Sequence, residues 1–157
     1  WANPLGAGAG SVVVYIMLDS VRSANSGFPQ GTDGAASAES RYQTATGDQL
    51  LVANAIYTKR PVTALVIVCS PVAQAVDFAI SDLGDDNTSG NQAAITAALQ
   101  DMFRRLSAPG GTIHPNYWNE ALAAIGLDQF NVTSPSAPVA ASSVGSMPVL
   151  GSVEFAS

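Results

Sequence analysis

The chain holds one histidine, His114, in the stretch LSAPGGTIHPNYWNEAL from Leu106 to Leu122, with Tyr117, Trp118 and Glu120 close behind it. An imidazole near a hydroxyl and a carboxylate is the raw material of general-base catalysis, provided that a nucleophile and an orienting acid come within hydrogen-bond reach. Helical spacing argues against that use. Trp118 defines the buried face of a helix opening at Pro115, and Glu120, two residues or about 200° further round, faces water. His114 falls at the N-cap of that helix, where we read it as a joint residue beside a turn. Gly110 and Gly111 permit a sharp reversal, so the stretch reads as a helix–turn–helix joint with Trp118 and Phe103 closing the wedge between the helices. A lone histidine also makes a poor zinc site, since such sites draw on several His or Cys ligands.

Other chemically suggestive residues fail on order or spacing. GAGAG precedes a strand, whereas phosphate loops follow a strand and open a helix. The acidic turn of Asp82, Asp85, Asp86 and Asn87 lacks the ligand spacing of a calcium loop and is better placed to cap a helix. A glycosidase pair would come from Glu39, Glu120, Glu154 and scattered aspartates, but nothing in their spacing selects two. Asn87-Thr-Ser and Asn131-Val-Thr match the glycosylation pattern, as many cytoplasmic chains do by chance. Cys69 is alone, which leaves no disulfide framework and no thiolate metal site and is compatible with a reducing cytoplasm. No catalytic, cofactor-binding or metal-ligating residue is therefore expected, and no cofactor.

Composition narrows the partners. The 157 residues are enough for one ordinary domain or two small ones. Only 11% are charged, so in a small folded protein much of the surface is expected to meet other protein. The net charge of −6 and the absence of any basic cluster beyond Lys59-Arg60 and Arg104-Arg105 speak against nucleic acid. No apolar run approaches the roughly 18 residues that span a bilayer. A chain opening on WANPLG without an initiator Met or signal pattern reads as a piece of a longer protein.

The elements that position these residues follow from periodicity. Val12 to Leu18 and VTALVIVC are β-branched runs of strand length, and between them Leu50, Ala53 and Tyr57, widened by Leu51 and Ile56, mark a helix from Asp48. Ser20 to Gly47 is a polar segment of 28 residues, a length typical of a binding or mobile loop, with room for a short helix near Ala35 to Arg41. Pro71 divides the chain. Beyond it Val76, Phe78 and Ile80 alternate with Ala75, Asp77 and Ala79, the period of a half-buried strand. Ile95, Ala98, Leu99, Met102, Phe103 and Leu106 then recur at helical spacing, with Asp85 and Asp86 before the helix and Arg104 and Arg105 in its last turn to complement its dipole. After the Pro115 helix, strands are expected near Phe130 to Thr133 and from Val149 to Phe155, separated by an uncharged surface loop or hairpin tip. The expected class is α+β, an α/β two-layer arrangement of mixed sheets with packed helices. Its two small subdomains are 1–71 (strand-helix-strand with the 20–47 loop) and 72–157 (strand-helix-helix-strand-strand).

NPLGAGAGSVVVYIM, KRPVTALVIVCSPVAQAVDFAIS, LSAPGGTIHPNYWNEALAAIGLDQFNVTSP and the closing PVLGSVEF, in that order and spacing, resemble the baseplate J-like family of contractile phage tails, including its Mu-type prophage form. The resemblance covers nearly the whole chain and implies the middle and C-terminal part of a longer wedge protein. It implies a structural, non-enzymatic role in virion assembly: joining neighbouring wedges into a ring around the tail hub, with other wedge and hub proteins and further copies of itself as partners. Assembly would take place in the host cytoplasm and the final location would be the tail baseplate. The loops 20–47 and 134–148, long and poor in charge, are the expected contact regions. Two rival classes are a host-surface or glycan-binding module, which would need exposed aromatic residues for stacking, and a cell-wall hydrolase, which would need His114.

Overall fold

The apolar run after the glycines becomes the middle strand of a three-stranded sheet in the computed structural model, which describes residues 1–156. This strand, β2 (Ser11–Tyr15), pairs antiparallel with β1 (Ala2–Pro4) and parallel with β3 (Leu65–Cys69), in the register Ser11 opposite Leu65 and Tyr15 opposite Cys69. Parallel neighbours need a crossover, and α1 (Gly47–Tyr57) lies in the connection between them. The helix rests on β3 through a small core of Ala36, Ala53 and Val68, with Val52, Ile56 and Tyr57 at its margin. The buried face of α1 thus runs through Gln49, Val52, Ala53 and Ile56, the i, i+3, i+4, i+7 row. Leu51, expected to widen that face, points away and is 70% exposed.

The alternating run builds the other sheet. In β4 (Val72–Ser81), Val76, Phe78 and Ile80 are buried while Ala75 and Asp77 are exposed. This strand is central, between β6 (Asn131–Ser134), which is antiparallel to it, and β8 (Ser146–Phe155). The helices α2 (Ser89–Leu106) and α3 (Pro115–Ala123) complete the layer. Their buried stripes, Ile95, Leu99, Met102 and Phe103 on α2 and Trp118 and Leu122 on α3, join the three β4 side chains in one core. Phe78 is its centre, meeting Phe103 edge-on at 6.1 Å and Trp118 edge-on at 5.6 Å between ring centroids. Helices and mixed sheets of two or three strands make the fold α+β.

By contacts the chain separates into two compact units, Trp1–Val72 and Ala73 onward. Several boundaries differ from expectation. The strand expected over Val12 to Leu18 is β2, which stops at Tyr15, three residues before Leu18. No helix forms over Ala35 to Arg41, because Ala35 bridges Thr44 and Ala36 is buried against α1. The third strand of the second unit runs one residue later than Phe130 to Thr133. The last strand begins at Ser146, where Ser146, Met147 and Pro148 are already buried. Leu106, the last residue of α2, is 43% exposed, so the buried stripe ends at Phe103.

Candidate functional site

The two glycines after α2 do reverse the chain. Gly110 adopts φ 71° and donates its N–H to the Ser146 carbonyl at 2.8 Å, and Gly111 donates to Ala108 at 2.9 Å. The next residues do not enter α3 directly. Thr112–Ile113 form a short strand, β5, paired antiparallel with β7 (Val139–Ala140). The expected joint is therefore a turn plus a strand. Its wedge is closed through Phe78, which stands against both Phe103 and Trp118.

His114 occupies the N-cap of α3 with extended backbone, φ −101° and ψ 151°, and its side chain makes no capping hydrogen bond. Its exposed ring lies edge-on to Tyr117 at 5.6 Å. Glu120 is exposed on the outer side of the same helix. Next to α3 an open groove is lined by Pro115, Trp118, Asn119, Phe130, Asn131 and Pro135, side chains that carry no titratable group.

The acidic turn serves as a clamp. Asp86 accepts from Asn91 Nδ2 at 3.2 Å through one oxygen and from the Asp128 backbone N–H at 2.8 Å through the other, tying the segment after α3 to the start of α2. Thr88 caps α2 by accepting from the Asn91 N–H. Among the described residues no group of three or more His, Cys, Asp or Glu side chains could hold a metal ion. Cys69 is half-buried, and burial, followed by the nearby Asp33 carboxylate, pushes its thiol up to about 12. At neutral pH it is a thiol and not a nucleophile.

Polar chemistry concentrates instead in the 20–47 segment, where it holds shape. Asp48 takes a two-point fork from Arg22 and a 2.8 Å bond from the Gln30 N–H, and these bonds hold its carboxyl down at about 2. Glu39 is buried and accepts from the Arg41 side chain at 2.8 and 2.6 Å, from the Arg41 N–H at 3.0 Å and from Arg60 at 3.1 Å. The Arg41 bonds, more than its charge, lower the Glu39 carboxyl to about 2. Arg41 continues to the carbonyls of Thr63 and Ala64, and Arg60 lies 4.2 Å over the Tyr57 ring. Gly47, at φ 59°, packs so closely on the Gln30 carbonyl that any Cβ would overlap it. The segment expected to be a binding or mobile loop is thus anchored at both ends and in the middle.

The 134–148 loop is pinned as well. Gln74 bonds the Ala140 carbonyl at 3.1 Å and the Ser142 N–H at 2.7 Å. The hydroxyls of Ser142, Ser143 and Ser146 bond one another, and Ser107 donates to the Pro148 carbonyl. None of these partners was legible beforehand. Only the Glu39-x-Arg41 spacing and the acid in the first turn of α1 hinted at them.

Residues 1–70 match the Baseplate J-like central domain, and residues 76–156 match the Baseplate J-like protein C-terminal domain. Paired in that order, the two domains define a structural protein of the phage tail baseplate, where it contacts other baseplate proteins. The chain belongs to the baseplate J-like family. No curated protein matches it. Among the described residues no helix is long and apolar enough to cross a membrane.

Proposed function

We propose that this chain is a wedge component of a contractile tail, of the Mu-type prophage form, that joins neighbouring wedges into a ring around the tail hub. Its partners are wedge and hub proteins and further copies of itself, and neither nucleic acid nor membrane is among them. Assembly takes place in the host cytoplasm. The segments 1–71 and 72–157 act as two subdomains of one building part, with no catalytic, cofactor-binding or metal-ligating residue.

The observation that carries this reading is the bracing of the two long loops. Arg22–Asp48 and Glu39–Arg41–Arg60 neutralise internally most of the charge in 20–47, and Gln74 with the serine hydroxyls fixes 134–148. Loops held in one shape before association lose less conformational entropy on docking than mobile ones. A ring demands heterologous contacts between unlike surfaces, and two unlike braced loops provide them.

The test uses exposed side chains at the loop surfaces. Val21→Asp, Tyr42→Ala and Val144→Asp are expected to leave circular dichroism and melting temperature unchanged while the protein fails to enter baseplates. Normal incorporation of all three variants would refute the assignment of these loops.

A further inference from the structure

Charge is unevenly shared between the two units. Residues 1–72 carry four basic and four acidic side chains, whereas residues 73–157 carry two basic and eight acidic ones, so the whole net charge of −6 falls in the second unit. Within the first unit the balance is uneven too. Arg22 is matched by Asp48, but Arg41 and Arg60 share the single carboxylate of Glu39, and Lys59 is next to Arg60 in the chain. Two guanidiniums thus share one carboxylate at this corner, Arg60 being buried against it, and the exposed Lys59 adds a further positive charge to the same short segment.

The same corner presents an apolar tip. Arg60 Nη1 donates to the carbonyls of Pro61 at 3.0 Å and Val62 at 2.8 Å, which braces the turn, and the Val62 side chain is 90% exposed. A single exposed valine is unremarked on most surfaces. Here it is held on a fixed turn beside excess positive charge, which combines apolar contact with electrostatic choice of partner.

The second unit supplies the complementary charge. Asp82, Asp85 and Asp128 are exposed, and the bond from the Asp128 N–H to Asp86 draws their two segments together. Both basic residues of that unit bond Asp101 on α2 instead. We propose that the Lys59–Val62 turn of one chain docks on the acidic Asp82–Asp86 corner of a second copy. This inference rests on the reading that copies contact one another in a ring, and it names one surface pair for that contact. Tip and corner are different surfaces, so the contact is heterologous, as a ring requires.

Sedimentation velocity of the whole chain tests it at about 0.01 M and about 1 M NaCl, where the screening length is roughly 30 Å and 3 Å. Association at low salt that disappears at high salt is expected. Lys59→Glu and, independently, Val62→Asp should each weaken it by about tenfold or more. Mixing the Lys59→Glu chain with an Asp85→Lys chain should restore association, with circular dichroism verifying that each variant is folded. Association insensitive to salt and to both single variants would overturn this pairing while leaving contact between copies intact. A chain that sediments as a single copy at both salt concentrations would also overturn it, and incorporation into baseplates then decides the ring reading separately.

Discussion

Arg22 and Asp48, 26 residues apart in sequence, meet as a two-point fork in which Nε donates to Oδ2 and Nη2 to Oδ1, each at 2.7 Å. The fork closes the polar 20–47 segment onto the first turn of α1, where a carboxylate also suits the helix dipole. A bidentate charged pair of this kind specifies a path for a chain segment that has little apolar surface of its own.

Removing the acceptor charge should loosen that path. Asp48→Asn keeps the shape of the side chain but loses the charged fork from Arg22. We expect a lower urea midpoint, an unchanged far-ultraviolet spectrum and faster hydrogen exchange at the Gln30 N–H. A midpoint equal to that of the parent chain would show that the fork contributes nothing.

Acid should act through the same groups. Glu39 and Asp48 both titrate at about 2 in the folded chain, below their ordinary values of 4.5 and 3.8. A carboxyl whose folded value is depressed stabilises the fold fully above its unfolded value and loses that contribution as pH falls toward the folded one. Stability should therefore be steady near neutrality and decline from about pH 5 down to about pH 2. Guanidinium midpoints across that range check this, and a Glu39→Gln, Asp48→Asn double variant should show a flatter profile. An equally steep profile in the double variant would place the acid sensitivity elsewhere.

The second unit depends on one ring. Phe78 is 1% exposed and touches both Phe103 and Trp118, so Phe78→Ala removes two aromatic contacts and opens a cavity between β4 and the helices. The expected cost is about 3–5 kcal/mol, read from urea unfolding. A loss below about 1 kcal/mol would mean that the helices close over the gap.

Cys69 should be a slow thiol. With its value pushed up to about 12 and the residue half-buried, alkylation by iodoacetamide at pH near 8 should be far slower in the native chain than in urea. Equal rates in the two states would contradict the environment described for β3.

The strands and helices with regular apolar spacing were legible in the sequence. Val76, Phe78 and Ile80 alternate and are buried, and Ile95, Leu99, Met102 and Phe103 form the stripe of α2, because burial of apolar surface dominates where the pattern is strong. The polar segments were not legible. Arg22 finds Asp48, and Gln74 finds Ala140 and Ser142, across 26, 66 and 68 residues, and no local rule selects such partners. Two-residue strands such as Thr112–Ile113 and Val139–Ala140 are equally hidden, since they are too short to show a period. The face of α1 was misjudged at Leu51 because its core is small and takes in Gln49, a polar residue, in place of a leucine.

Of the candidate site, the sequence made legible the places of two side chains on α3. His114 before Pro115 and Glu120 round the helix from Trp118 are placed as their spacing implied, at a cap and on an exposed face. The bracing of 20–47 by ion pairs and of 134–148 by Gln74 and serine hydroxyls depends on partners that only the folded chain brings together.

Electron microscopy of phage particles made without this protein tests the central claim most directly. If the chain is a structural wedge part, such particles should yield tails without baseplates, and supplying the His114→Ala chain should restore them as well as the parent does. Complete baseplates in its absence, or restoration lost with His114 alone in a folded variant, would contradict the account.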